Sequence, residues 1–185
     1  NKKSTPRAMV VSAHPLASEV GLSILKKGGN AADASVAVQF ALAVVYPSAG
    51  NIGGGGFLVY RKNNGFSSSL DFREKAPSKA YRNMFLDSNN KVIENSSLYS
   101  PLAVGVPGTV DGMVQIHAKY GKLPWKELIQ PSIDLAENGF PLTLKEANKL
   151  NWFNKIKHKN SYNPYFGNKY KKGDSIFLYD LANTL

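Results

Sequence analysis

The side chains with the most chemical capacity stand in one short run, Asp71-Phe72-Arg73-Glu74. Side chains alternate along a strand, so Asp71 and Arg73 share one face and Phe72 and Glu74 the other. Two readings of the run are open. A buried Asp71–Arg73 pair would only hold the strand end together. An Arg73 presented to a ligand would grip a carboxylate, because the planar guanidinium offers two parallel N–H bonds to its two oxygens. These residues by themselves weigh equally for both.

The other reactive side chains make no site by spacing. His14 precedes Pro15 where a helix should start, which suits a capping or loop role. His117 falls on an apolar helix face and reads as a core histidine, and His158 sits in a lysine-rich stretch. No pair of histidines has metal-ligand spacing. No Gly-x-Ser-x-Gly elbow is present. Thr109 follows a turn glycine and reads as a helix cap rather than a nucleophile. The chain has no cysteine, which excludes a thiolate nucleophile, a zinc–thiolate site and a disulfide within it. Asn95-Ser96-Ser97 is a formal glycosylation triplet of a kind that arises by chance.

Gly53-Gly54-Gly55-Gly56 is the most conspicuous feature. A phosphate-cradling loop needs a strand before it and a helix N-terminus after it. Here the order is reversed, with a helix before and a strand after, and no Gly-Lys-Ser/Thr follows. The glycines are therefore expected to let backbones pass closely or adopt positive φ.

The elements that must position these residues follow from periodicity and caps. Ala8 to Ser12 is expected as a short strand. A helix then starts at His14-Pro15, buries Ala17, Val20, Gly21, Ile24 and Leu25, and ends at Gly28-Gly29. Asn30 caps the next helix, with Asp33 three residues on in a variant of the capping box. That helix, Ala31 to Val45, is apolar almost all round, as for a helix buried between layers. Tyr46-Pro47 stops it. Phe57 to Arg61 and Phe66 to Arg73 are expected to form a hairpin about Asn63-Asn64-Gly65. After the turn Gly105 to Thr109, the residues Val110, Met113, Val114 and His117 mark a helix face that ends at Gly121. Leu123 to Asn138 reads as short helices broken at Gln130-Pro131. Thr143 to Glu146 is a capping box, Ser175 to Leu178 a possible strand, and Leu181 and Leu185 the first turn of a helix the chain does not finish. Helices stacked on antiparallel sheet imply a layered α+β fold rather than a doubly wound parallel sheet.

Length and composition set the outer bounds. The chain has 185 residues, 43% hydrophobic and 19% charged, enough for one core, so residues 1–185 are expected to form a single, incomplete domain. Its longest apolar stretch, Ala31 to Tyr46, is too short to span a bilayer and carries Asp33, Ser35 and Gln39. No signal peptide is recognisable at Asn1 to Arg7. Net charge is +10, concentrated from Lys145 to Lys172 among Trp152, Phe153, Tyr162, Tyr165, Phe166 and Tyr170. Such a segment could bind nucleic acid or an anionic surface. No recognition motif accompanies the charge, so a solvated surface is the reading preferred.

Several multi-residue motifs occur in a fixed order: Ser12-Ala13-His14-Pro15-Leu16-Ala17-Ser18, Gly28-Gly29-Asn30-Ala31-Ala32-Asp33-Ala34, Gly50-Asn51-Ile52-Gly53-Gly54-Gly55-Gly56-Phe57, and Asp71-Phe72-Arg73-Glu74-Lys75-Ala76-Pro77. Gly105-Val106-Pro107-Gly108-Thr109 and Ala136-Glu137-Asn138-Gly139-Phe140 follow. Together they resemble the start of the large subunit of the γ-glutamyltranspeptidase family. The resemblance runs to Asp180-Leu181-Ala182 and is weakest from Asn148 to Lys172. It implies an N-terminal-nucleophile hydrolase fold, an αββα sandwich with antiparallel sheets between helical layers, incomplete here. It implies a precursor that cleaves itself to expose a Thr nucleophile, which would lie beyond Leu185, so no catalytic residue is expected in this chain. It places the family's donor-carboxylate arginine on Arg73, with Asp71 and Glu74 as possible supports. It implies γ-glutamyl transfer and hydrolysis on glutathione and related amides, with water, an amino acid or a peptide as acceptor. No metal or organic cofactor is implied. The implied partners are the rest of the large subunit and the small subunit, and the location periplasmic or secreted. A related acylase acting on a cephalosporin side chain or poly-γ-glutamate is the alternative within the superfamily. An anion- or nucleic-acid-binding module is the alternative outside it.

Overall fold

The computed structural model describes residues 8–156 and 168–185. Residues 157–167 of the lysine-rich segment, with His158, lie outside the described residues. The chain divides into two compact units, one formed by residues 1–50 with 120–185 and the other by residues 51–119.

The first unit is built on helices. α1 (Pro15–Lys26) opens on His14, whose extended backbone and Nδ1 make the cap: Nδ1 accepts the Leu16 N–H at 3.2 Å. Pro15 takes the first helical position, where a missing N–H costs nothing. The helix buries Ala17, Val20, Gly21 and Ile24. Gly21 is the contact point with its neighbours, since a Cβ there would stand 2.6 Å from Val38 Cγ2 and 2.8 Å from Val10 Cγ1. Gly28, at φ +94, turns the chain so that Gly28 and Gly29 return their N–H groups to Leu25 and Ile24.

α2 (Ala31–Val45) begins at Asn30 in a reciprocal capping box. Asn30 Oδ1 accepts from Ala32 and Asp33, and Asp33 Oδ2 accepts from Asn30 N–H at 2.8 Å. Asp33 is fully buried. Its other oxygen accepts the N–H of Lys122 at 2.9 Å and of Leu123 at 3.3 Å. The Asn30 amide donates in turn to the Tyr120 carbonyl at 2.7 Å. A buried carboxylate is tolerated when N–H donors replace its water, and here those donors come from two distant parts of the sequence. α2 packs on α1 and on α5 (Trp125–Asn138), where Phe40 meets Trp125 edge to face at 5.6 Å. α7 (Tyr179–Thr184) packs on α5. The strand pair Phe140–Pro141 and Ser175–Ile176 is antiparallel. α6 (Leu144–Ile156) starts at the Thr143/Glu146 capping box, with Thr143 N–H on Glu146 Oε2 at 2.8 Å.

The second unit is built on a hairpin. β1 (Phe57–Arg61) pairs antiparallel with β2 (Ser67–Asp71), with Phe57 opposite Asp71 and Val59 opposite Ser69. Gly65, at φ +88, makes the turn. The chain then runs irregularly through one helical turn at Ser96–Tyr99 (α3) and a short 3-10 turn at Pro101–Ala103, with isolated bridges at Lys75/Val106 and Leu86/Val92. α4 (Thr109–Tyr120) starts in this unit.

Helix positions, both capping boxes, the hairpin turn and the α+β character agree with the sequence reading. Four expectations need correction. Ala8 to Ser12 forms no strand among the described residues; Met9 and Val11 are exposed while Val10 packs on Gly21, so the segment is extended without a ladder. α5 continues through Pro131, because one lost N–H is outweighed by the burial of Leu128, Ile129, Ser132 and Ala136 around it. α4 buries Thr109, Gly112, Met113 and Ile116, leaving Val110 and Val114 exposed and His117 half-buried. The strands expected over residues 66–73 and 175–178 are shorter, Ser67–Asp71 and Ser175–Ile176.

Asp33→Asn tests the buried junction. The amide keeps the shape but loses the charge, and its nitrogen cannot accept. Hydrogen bonds to a charged group contribute about 1.5–3 kcal/mol each, so the full-length protein should lose roughly 2–3 kcal/mol in thermal or denaturant unfolding. Lys122→Ala, which leaves the backbone donor in place, should change stability far less.

Candidate functional site

The hairpin ladder stops at Asp71, and the residue that stops it is Asp71 itself. Its Oδ1 accepts the Arg73 backbone N–H at 3.0 Å, an Asx turn that carries the chain out of the sheet. The Asp71 carboxylate is thus engaged with backbone. The guanidinium of Arg73 finds other company: Nε lies 3.8 Å from Glu74 Oε2, and Cζ lies 6.0 Å from the centre of the Phe57 ring. Arg73 is 65% exposed and Glu74 41%, so this ion pair contributes at most about 1 kcal/mol. Among the described residues the two terminal nitrogens of Arg73 have no partner. The buried Asp71–Arg73 pair, one of the two readings of the run, does not form.

The backbone that carries Arg73 is held much more firmly than its side chain. A Cβ on Gly55 would stand 2.6 Å from Arg73 Cα and 2.6 Å from the Phe72 carbonyl oxygen. A Cβ on Gly108 would run into the same Phe72 carbonyl. The Phe72 ring lies against both Gly56 and Gly112 of α4. Phe72 N–H donates to the Gly56 carbonyl at 3.0 Å, and Lys75 exchanges both backbone bonds with Val106. Gly55, Gly56 and Gly108 therefore serve close approach, as the sequence context leads one to expect for the run that holds Gly55 and Gly56.

The two loops are also tied to each other. The Gly54 carbonyl accepts from Gly108 N–H at 2.8 Å and from Thr109 N–H at 3.0 Å. Asn51 Oδ1 accepts from Gly54 N–H at 2.7 Å and from the Thr109 hydroxyl at 3.1 Å. Thr109 is fully buried and serves this junction. Sequence reasoning overlooked Asn51, Phe57 and Gly112. The signal for Asn51 was available, an Asn three residues ahead of a turn glycine. The role of Gly112 has no local signal, since a helical glycine shows its partner only in three dimensions.

Among the described residues no histidine joins a group that could hold a metal ion. His14 is 4% exposed; Nδ1 is occupied by the cap, and Nε2 lies 2.9 Å from Glu146 Oε1. That Nε2 is without a well-formed hydrogen bond, so the contact is close but off-line. Among the described residues no group of three His, Cys, Asp or Glu could hold a metal ion. The arrangement offers one thing chemically: a cationic fork on a rigid strand end, open to a carboxylate.

Gly55→Ala and Gly53→Ala give a paired test of the rigid strand end. Gly53 has open space where a Cβ would go, and its substitution should leave the melting temperature unchanged. Gly55→Ala must displace backbone, and overpacking of this kind costs about 1–3 kcal/mol. Equal melting temperatures for both variants in the full-length protein would contradict the packing described.

Comparison with known proteins bears on what this strand end serves. The sequence profile described as Gamma-glutamyltranspeptidase matches residues 17–185. A glutathione hydrolase proenzyme of Pseudomonas sp. (strain A14) is 48% identical over 182 residues, covering 96% of this chain and 32% of the relative. The chain thus spans about a third of the length of the curated relatives it matches. Among solved structures, γ-glutamyltranspeptidase of Helicobacter pylori superposes with a TM-score of 0.87 at 46% identity, covering 98% of this chain and 54% of that one. Cephalosporin acylase of Bacillus halodurans superposes with a TM-score of 0.76 at 26% identity, covering 100% of this chain and 37% of that one.

Proposed function

Since this chain belongs to the γ-glutamyltranspeptidase family, we propose that it forms the first part of the large subunit of an enzyme that transfers and hydrolyses γ-glutamyl groups, with Arg73 receiving the donor's α-carboxylate. The chain has the N-terminal-nucleophile hydrolase fold, as its structural neighbours do. The observation that carries the proposal is the free fork of Arg73 on a clamped strand end. A carboxylate needs two coplanar donors at fixed spacing, and a guanidinium supplies them.

In this reading glutathione or another γ-glutamyl amide is the donor. The nucleophile is the N-terminal Thr of a small subunit released by self-cleavage, and it lies beyond Leu185. Its own amine takes the hydroxyl proton, the hydroxyl attacks the amide carbonyl, and backbone donors stabilise the oxyanion. Water, an amino acid or a peptide then resolves the acyl-enzyme. This chemistry requires neither metal nor organic cofactor. Asp71 supports the site by holding the Arg73 backbone, and Glu74 by lying beside Nε. The single-domain reading of residues 1–185, the remainder of the large subunit as partner, and a periplasmic or secreted location belong to the same proposal. Among the described residues no helix is long and apolar enough to cross a membrane.

The likeness to cephalosporin acylase favours one second reading, an acylase acting on another amide. Donor choice separates the two. Loss of a charge-assisted contact costs about 1.5–3 kcal/mol, so in the full-length enzyme Arg73→Lys should raise KM for a γ-glutamyl donor by at least about tenfold. Arg73→Ala should do worse. A donor lacking the α-carboxylate should be poor for the wild type and lose little more in either variant. Equal losses on both donors, with a lowered melting temperature, would make Arg73 a structural residue. The isolated 185-residue chain should show no turnover of a γ-glutamyl anilide, and measurable turnover with contaminating enzyme ruled out would overturn the placement of the nucleophile.

A further inference from the structure

Arg73 has a long side chain with many rotamers, and among the described residues it forms one ion pair, a loose one with exposed Glu74. Something else must orient the fork if it is to be ready for a ligand. The hairpin register supplies a candidate. Phe57 stands opposite Asp71, the last residue of β2, and the Asx turn that follows sets Arg73 beside the Phe57 ring. The ring centre and Arg73 Cζ are 6.0 Å apart, within the range of attraction between a cation and a ring face. Phe57 is 67% exposed, so its ring is not accounted for by burial within the described residues. The ring meets the guanidinium while leaving the terminal nitrogens without a partner.

We propose that Phe57 is a positioning residue for donor binding: its ring holds the Arg73 guanidinium with the terminal nitrogens turned out toward the substrate carboxylate. The ring also screens part of the guanidinium from water, which strengthens the contact it makes with an anion. This rests on the reading of Arg73 as the carboxylate-binding group, and the experiment is arranged to separate the two.

In the full-length mature enzyme, Phe57→Leu, Phe57→Trp and Arg73→Ala are compared on a γ-glutamyl anilide and on the 4-aminobutyryl anilide, which lacks the α-carboxylate. Removing the ring face should raise KM for the glutamyl donor about two- to fivefold, with kcat little changed. It should leave kcat/KM for the 4-aminobutyryl donor unaltered. Phe57→Trp, which keeps a ring face, should restore the wild-type KM. Equal effects of Phe57→Leu on both donors, or a Trp variant as impaired as the Leu variant, overturn the proposal. If Arg73→Ala abolishes the preference for the α-carboxylate and Phe57→Leu does not touch it, the positioning role fails while the carboxylate reading stands. If Arg73→Ala keeps the preference, the carboxylate reading fails and this one with it. Phe57→Met, of similar bulk without a ring face, replaces Phe57→Leu should that variant not mature. If neither matures, Phe57 is structural and the proposal is wrong.

Discussion

The Asp33 carboxylate is the constraint on which the first compact unit depends. It is fully buried and accepts N–H groups from Asn30, Lys122 and Leu123. An ionised carboxylate without such donors would be expelled from an apolar interior. The same residue completes the cap of α2, the most buried helix. One side chain therefore fixes where α2 starts and which later segment lies against that start. With Asn30 reaching the Tyr120 carbonyl, the junction closes a loop of about ninety residues in sequence, and that loop contains the whole second unit.

Within the second unit the division of labour is between a rigid backbone and a loosely held side chain. Phe72 is gripped by Gly56 and Gly112, and the peptide around Arg73 by Gly55 and Gly108. Hydrogen bonds from Gly54 and Asn51 lock the two glycine-bearing loops together. Among the described residues the guanidinium makes only weak contacts. This arrangement suits the carboxylate recognition proposed for Arg73. A strongly paired arginine would have to break its bonds to bind a carboxylate, whereas a free one on a mobile backbone would lose entropy on binding. Here the backbone is ordered beforehand and the fork is left free.

The two carboxylates flanking Arg73 show how little separates a structural from a functional reading. Alternation alone makes Asp71 the natural partner of Arg73. The Asx turn reverses this, because a short side chain one atom away from its own backbone reaches the N–H two residues on more easily than it reaches a long arginine. Asp71 is spent on the turn, and the arginine is released.

Features decided within a few residues could be read from the sequence. Both capping boxes, the glycine stop after α1, the buried character of Ala31–Val45 and the Asn-Gly hairpin turn are short-range matters of cap chemistry and period, and they were legible. Glycine context alone also separated close packing from phosphate binding. Tertiary structure decided the rest. Ala8 to Ser12 has the composition of a strand, but a strand exists only where a partner offers its ladder. Pro131 breaks an isolated helix, yet the burial of its neighbours carries α5 through. Gly112 and Phe57 acquire meaning only because folding sets Phe72 against one and Arg73 beside the other. Their contacts span the hairpin or the distance to α4, and no local pattern records them.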